Sequence, residues 1–212
     1  MKQFDAIIIG FGKGGKTLAA EFAKRGKKVA IIERSSGMYG GTCINIGCIP
    51  TKTLVHQAKI ASNLKDHPFE TKKKFYRNAI EEKERVTTIL RDKNYYTLAD
   101  NPNVTVYTGT GSFLSENTVL IKITGEETVI KSENIIINSG ARTVIPPIPG
   151  IKENPYLYTS TSIMEMRELP EKLVIIGGGY IGLEFASMYA SFGSKVTVLE
   201  SYPQLIGRED HD

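Results

Sequence analysis

Apolar and polar positions change period several times along the chain, and each change marks an element. Residues 4–9 form a short apolar run that stops at Gly10-Phe11-Gly12-Lys13-Gly14-Gly15, after which Leu18, Ala19, Phe22 and Ala23 recur at helical spacing. Gly26 closes that helix, and a second apolar run, residues 29–32, ends at Glu33. Strand, glycine turn, helix, strand and acid, in that order, make a dinucleotide-binding βαβ unit. Its glycines permit a tight turn and close approach of a pyrophosphate, whose charge favours the start of a helix. Glu33 is placed to accept hydrogen bonds from a ribose. The competing reading is a tight turn that binds nothing, and the full strand–helix–acid context favours the binding unit.

Residues 51–64 predict a helix with Leu54, Val55, Ala58 and Ala61 on its apolar side, interrupted by Asp66-His67-Pro68. Residues 72–98 predict a long amphipathic helix facing inward through Ile80, Val86, Ile89 and Leu90. Past Asn101-Pro102-Asn103 the period falls to two, so residues 104–108, 118–124 and 127–130 read as strands, with a hairpin turn at Gly125-Glu126. Another strand, 134–137, runs into Asn138-Ser139-Gly140-Ala141. Pro146-Pro147-Ile148-Pro149-Gly150 suits neither a helix nor a central strand and predicts a domain linker.

After a short helix near 161–169 the first pattern returns. Residues 172–176 lead into Gly177-Gly178-Gly179-Tyr180-Ile181-Gly182, a helix follows through Phe185, Met188 and Tyr189, and residues 196–200 end at Glu200. The expected fold class is α/β with two Rossmann-like dinucleotide-binding units, the second incomplete.

Composition narrows the setting. At 212 residues, 41% hydrophobic and 24% charged, the chain is an ordinary globular sequence with room for one sizeable domain or two small ones. The apolar run at residues 7–9 is too brief for a signal-peptide core or a membrane span, which predicts a cytoplasmic protein without a membrane partner. The net charge of +4 is mild. Lys72-Lys73-Lys74 and Arg77, interleaved with Phe75 and Tyr76, suggest nucleic acid, but Glu81, Glu82 and Glu84 follow as i,i+4 partners and favour a solvated helix face. No nucleic-acid partner is expected.

Both cysteines lie in Gly40-Gly41-Thr42-Cys43-Ile44-Asn45-Ile46-Gly47-Cys48-Ile49-Pro50-Thr51-Lys52. Two cysteines in a reducing compartment are more often catalytic than structural. A disulfide needs Cα atoms within about 7 Å, whereas five steps of regular helix rise roughly 7.5 Å. A Cys43–Cys48 bridge therefore requires a distorted turn, which Gly47 permits and which ends where Pro50 can begin a helix. Half of a zinc site and a pair of inert thiols are the alternatives. Zinc takes four ligands, and His56 with these cysteines makes only three, so no metal site is expected. His56 and His67 have no partner acid at a telling spacing and read as surface or packing residues.

The motif Gly41-Thr42-Cys43-x-Asn45-x-Gly47-Cys48-x-Pro50-x-Lys52 resembles the redox-disulfide signature of the class I pyridine nucleotide-disulfide oxidoreductases, which include dihydrolipoamide dehydrogenase, glutathione reductase and mercuric reductase. The resemblance implies a redox-active Cys43–Cys48 disulfide, with Cys48 beside a flavin and Cys43 exchanging with substrate. It makes FAD the ligand of the first unit, held by Gly10, Gly12, Gly14, Gly15, Glu33, Arg34, Gly41, Thr42, Lys52, Gly111, Ser139 and Gly140. Lys13 is less usual at its position, and Asn138-Ser139 replaces the first two residues of the family's Ala-Thr-Gly turn. Lys52 and Glu184 match positions that meet near the reactive edge of the flavin ring. Gly177, Gly179, Tyr180, Ile181, Gly182, Glu184 and Glu200 are carried over as the NAD(P) site, with Tyr180 covering the nicotinamide pocket.

The family also implies a small antiparallel sheet inserted in the first unit, an FAD-binding domain over residues 1–147 and an incomplete NAD(P)-binding domain over 148–212. A C-terminal dimerisation domain, which supplies a His–Glu acid–base pair, lies outside this sequence. The full-length protein is then a homodimer, and this portion alone is expected to be inactive. Glu200 follows Gly177 by 23 residues, near the roughly 20 of a ribose-binding acid. The expected donor is therefore NADH, with NADPH possible; Arg208, beyond Pro203, is expected to point elsewhere. The acceptor is a small disulfide or a metal ion. Ser36-Gly37-Met38-Tyr39, Ile44-Asn45-Ile46 and Thr51 most resemble bacterial flavoprotein reductases of reactive-chlorine resistance, which act on metal ions such as copper. Dihydrolipoamide dehydrogenase, which more often has serine at the position of Thr51, is the second reading and mercuric reductase the third. A flavin-binding module without turnover is the alternative of another class.

Overall fold

The computed structural model describes residues 1–207 and 209. The chain divides into two compact units, Met1–Ile49 with Thr87–Ile148, and Pro50–Val86 with Pro149–Asp212. The last of the three breaks, after Ile148, falls inside the proline run. These units are discontinuous in sequence, because residues 50–86 pack with the later part of the chain.

In the first unit, β1 (Lys2–Gln3) and β2 (Ala6–Ile9) precede helix α1 (Lys13–Lys24) and β3 (Val29–Glu33). The short helix α2 (Thr42–Asn45) and the start of α3 (Cys48–Ala61) follow, then the end of α4 (Phe69–Ala99). Five more strands complete the unit: β4 (Val104–Thr108), β5 (Thr110–Ser115), β6 (Thr118–Ile123), β7 (Glu126–Lys131) and β8 (Ile135–Ile137). A four-stranded sheet runs β4-β3-β2-β8 with every pair parallel. One face carries Ile8, Val29 and Ile31 against Ala19 and Ala23 of α1 and Leu98 of α4. The other face carries Ile7, Ala30 and Ile32 against Val119, Ile121 and Ile130 of a second sheet. A strand buried on both faces is apolar at every position, which is why β2 and β3 read as unbroken runs.

That second sheet, β1-β7-β6-β5, and its surroundings differ from the sequence reading in four ways. Residues 104–108 join the parallel sheet as its edge, pairing Val29 with Val104 through Glu33 with Thr108. The antiparallel sheet instead gains β5, where Phe113 and Leu114 are exposed and no apolar alternation announces a strand. The run at 4–9 yields a strand only over Ala6–Ile9, and Lys2–Gln3 before it forms a separate strand paired with β7; Asp5 lies between the two, its carboxylate accepting the Lys28 N–H at 2.7 Å. The hairpin between β6 and β7 turns at Thr124-Gly125, since Ile123 faces Glu126 and Gly125 adopts φ +81°.

The second unit contains most of α3, the first part of α4, β9 (Lys172–Ile176), α5 (Tyr180–Phe192) and β10 (Lys195–Leu199). Strands β9 and β10 pair in parallel, and Gly193 at φ +110° ends α5 in the left-handed conformation that favours glycine. The expected helix at 161–169 is a single 3-10 turn, Ser162–Glu165. The core joins Leu54 and Ala58 of α3, Tyr76 and Ile80 of α4, and Phe185, Met188 and Phe192 of α5. Val174, Ile176 and Leu199 face outward from the two strands.

Two features of α4 depart from the sequence pattern. Ile89 is exposed, and Tyr76, which sits among lysines in sequence, is fully buried. Two of the cluster's four cations are paired, though with other acids than their helical successors: Lys73 with Glu70, Arg77 with Glu168. Glu82 takes Arg85 and Glu84 takes Arg167. His56 and His67 are both exposed.

The Tyr76 and Tyr189 hydroxyls share a 3.0 Å hydrogen bond inside this core, and Tyr189 also donates to the Ile163 carbonyl at 3.1 Å. Burial raises both phenols, Tyr76 to about 12. An unfolded tyrosine ionises near pH 10, so above that pH the unfolded chain loses protons that the folded chain keeps. Stability is therefore full below pH 10 and falls as pH rises toward 12. Urea unfolding at pH 11.5 against pH 8 should show a loss of about 2 kcal/mol from Tyr76, and Tyr76→Phe should remove that share of the slope.

Candidate functional site

The glycine turn of the first unit is built by close approach. Gly10 adopts φ +109° and donates to the Ile32 carbonyl at 2.7 Å, and a Cβ on it would lie 2.2 Å from the Asn138 carbonyl oxygen. A Cβ on Gly15 would lie 2.5 Å from the Gly10 carbonyl oxygen. Gly12 caps α1 without a side-chain hydrogen bond, and Gly14 follows inside its first turn. Glu33 closes the turn from β3, accepting the Phe11 N–H at 3.0 Å and the Ser35 N–H at 3.2 Å. Arg34 and Ser139 are exposed, and Gly140 adopts φ +74°. Gly111 lies in β5, where a Cβ would touch Ile32 at 3.3 Å.

The sequence gives no reason to single out Asn138 beyond its departure from the Ala-Thr-Gly pattern. In the structure its N–H donates to the Ile9 carbonyl at 2.8 Å and its side-chain amide donates to the Gly10 carbonyl at 3.1 Å. Asn138 thus staples the end of β8 to the glycine turn.

The second unit repeats this construction. Gly177 also has φ +109° and donates to the Leu199 carbonyl at 2.8 Å, and a Cβ on Gly182 would lie 2.1 Å from the Gly177 carbonyl oxygen. Glu200 accepts the Gly178 N–H at 2.7 Å and the Tyr202 N–H at 3.0 Å. Those backbone donors, Tyr202 first, hold its carboxyl below the usual carboxylate range. Gly179 caps α5, and Tyr180 and Ile181 are exposed beside it. The Tyr180 hydroxyl donates to Glu209. Arg208 lies outside the described residues. Lys52 of α3 forms an ion pair with Glu184 of α5, so these two are brought together; the Lys52 side chain is 69% exposed.

The cysteine loop belongs to the first unit. Helix α2 stops at Asn45, Ile46 leaves helical geometry at φ −138°, and α3 restarts at Cys48. This is the break that a Cys43–Cys48 bridge needs. Gly47 serves it through space, since a Cβ there would lie 3.0 Å from the Thr42 carbonyl oxygen. Gly41, at φ +80°, rests against the glycine turn, where a Cβ would lie 2.5 Å from the Gly12 Cα, and Thr42 begins α2 beside it. Asn45 donates to the Tyr39 and Gly41 carbonyls, both at 2.9 Å, and accepts from Arg91 of α4 at 2.7 Å.

Cys43 and Cys48 are exposed free thiols. The Cys43 thiol hydrogen-bonds to Cys48, and this, ahead of desolvation and the charge on Cys48, pushes Cys43 above the ordinary thiol range; the Cys48 backbone N–H and Lys16 pull the other way. Among the described residues no three His, Cys, Asp or Glu side chains gather to hold a metal ion. Among them, no helix is long and apolar enough to cross a membrane.

The site thus consists of two glycine turns, each closed by an acid at the end of the next strand, and a dithiol at a helix break. Residues 4–212 match the profile of the pyridine nucleotide-disulphide oxidoreductases, and the chain belongs to that family. It is 50% identical over 212 residues to the probable pyridine nucleotide-disulfide oxidoreductase RclA of Escherichia coli (strain K12), covering 100% of this chain and 45% of that protein. It is 37% identical to the dihydrolipoyl dehydrogenase of Acholeplasma laidlawii, covering 100% of this chain and 63% of that protein. Among solved structures, a Cu(II) complex of the HOCl-induced flavoprotein disulfide reductase RclA from Escherichia coli superimposes with a TM-score of 0.90 at 50% identity, over 99% of this chain and 45% of that one. The chain therefore spans about half the length of these relatives.

Proposed function

We propose that the protein is an FAD-dependent NAD(P)H oxidoreductase that passes an electron pair to a Cys43–Cys48 disulfide and on to a small disulfide or metal-ion acceptor. The observation that carries this is the seating of the dithiol loop on the first glycine turn, through Gly41 against Gly12. The N-terminus of α1 fits a pyrophosphate, because Gly12 caps it without a side-chain hydrogen bond and no capping side chain takes its first backbone N–H groups. When bound, FAD accepts a hydride from the nicotinamide and delivers two electrons to the disulfide. Breaking the S–S bond with two electrons and two protons gives the two thiols; returning those electrons to the acceptor restores the bond.

Gly10, Gly12, Gly14, Gly15 and Glu33 would hold the flavin nucleotide in a domain spanning residues 1–147. Gly177, Gly179, Gly182 and Glu200 would hold the nicotinamide nucleotide in the part from 148 onward, with Lys52–Glu184 orienting the hydride donor. The Cu(II) complex of RclA favours a metal-ion acceptor such as copper, and the full-length protein would be a homodimer held by a further domain.

Glu200 supplies a test with a direct readout. Its carboxylate is fixed by two backbone N–H groups and kept ionised, so it accepts from a ribose 2′-hydroxyl and repels a 2′-phosphate. NADH should bleach the flavin of the intact protein anaerobically, with kcat/KM favouring NADH over NADPH. Glu200→Arg should shift that ratio toward NADPH by roughly tenfold. Flavin that stays oxidised with both donors supports a binding module without turnover.

A further inference from the structure

Lys16, on the first turns of α1, takes no part in the reading above. Three elements converge around it. Asn94 of α4 lies against Gly40, where a Cβ would be 3.2 Å from the Asn94 Cγ. The loop then rests its Gly41 on Gly12, one turn before Lys16. The Asn94 amide is oriented by donating to the Leu90 carbonyl at 2.6 Å, which turns its oxygen to accept from the Lys16 ammonium.

We propose that Lys16 is a positioning residue for the dithiol: steered by Asn94, its ammonium holds the negative charge that appears on the Cys43 sulfur and so sets the reactivity of that cysteine. The proposal rests on the reading of Cys43 and Cys48 as a redox pair. In the exchange step, Cys43 loses its proton and its sulfur forms an S–S bond with an acceptor disulfide. The acceptor's own S–S bond breaks, and the leaving sulfur takes the electron pair and a proton.

Charge supports this geometry. Asn94 is neutral, so it fixes the ammonium without neutralising it. The groups acting electrostatically on Lys16 are Lys13, which opposes its charge, and Cys43, which favours it; partial burial opposes it most. The groups acting on Cys43 are Cys48 and Lys16. Arg91, the cation that α4 brings to the loop, is engaged by Asn45. Among the described residues Cys43 is the charge that favours the Lys16 ammonium, and Lys16 opposes the rise of Cys43 less strongly than the Cys48 hydrogen bond drives it.

The test is alkylation of Cys43 in the reduced intact protein by neutral iodoacetamide, followed against pH and salt and assigned by fragment-ion mass spectrometry. In the natural protein the rate at neutral pH should fall as salt screens the lysine. Lys16→Met should slow it roughly threefold at low salt, the size of one partly screened charge contact, and abolish the salt response. Lys16→Arg should restore both, and Asn94→Leu should weaken both. An unchanged rate and salt response in Lys16→Met overturns the proposal. So does a Lys16→Met defect that arginine fails to rescue, or one confined to loss of bound flavin. Failure of the redox reading is seen separately, as two cysteines that stay alkylatable after oxidised glutathione whatever residue stands at 16.

Discussion

Replacing Cys48 by serine should lower NADH-dependent reduction of an acceptor by three orders of magnitude or more, roughly the loss on removing a residue that bonds covalently during turnover. Cys48 starts α3 immediately after the helix break and is the hydrogen-bond partner of the Cys43 thiol. Serine keeps that position and a polar contact but has no sulfur to close the bridge. Flavin content should be unchanged, because Cys48 has no part in the glycine turn. Steady-state assays on flavin-matched preparations check both halves of the expectation, and residual activity within tenfold of the natural protein would mean the electrons leave by another route.

Gly10→Ala should destabilise the first unit by about 4 kcal/mol, the sum of a left-handed residue forced onto a side chain and an overpacked contact. Its Cβ would sit 2.2 Å from the Asn138 carbonyl oxygen and 2.7 Å from the Asn138 carbonyl carbon, and backbone yields poorly. The second turn provides an internal control. Gly177 has the same φ of +109° but no atom within 4 Å of its added Cβ, so Gly177→Ala should cost only the conformational share, about 1–2 kcal/mol. Urea unfolding followed by circular dichroism measures both, and equal losses would show that Asn138 does not brace the first turn.

Both turns were legible in the sequence because they depend on local order alone: an apolar run, glycines at fixed offsets, a helical repeat and an acid ending the next strand. The helix break at the cysteines was legible for a similar reason, since a disulfide and a regular helix make incompatible demands on five residues. What escaped is what distance in sequence conceals. β4 has the alternation of any strand, and only its pairing with β3 places it in the parallel sheet. β5 carries Phe113 and Leu114 side by side, both exposed, so its period is hidden. Tyr76 looks like part of a solvated basic face until Tyr189, 113 residues away, is seen to meet it. Lys16 and Asn94 are separated by 78 residues and share no motif. Side chains that brace a site from afar leave no local pattern, whereas those that shape a turn do.

The most direct test of the central claim counts thiols. The intact, oxidised, FAD-loaded protein is treated anaerobically with one equivalent of NADH, quenched with an alkylating agent and mapped by mass spectrometry. Two new thiols per chain, on Cys43 and Cys48, are the predicted result, with none appearing in Cys48→Ser. Flavin fully reduced while no new thiol appears at either cysteine would contradict it.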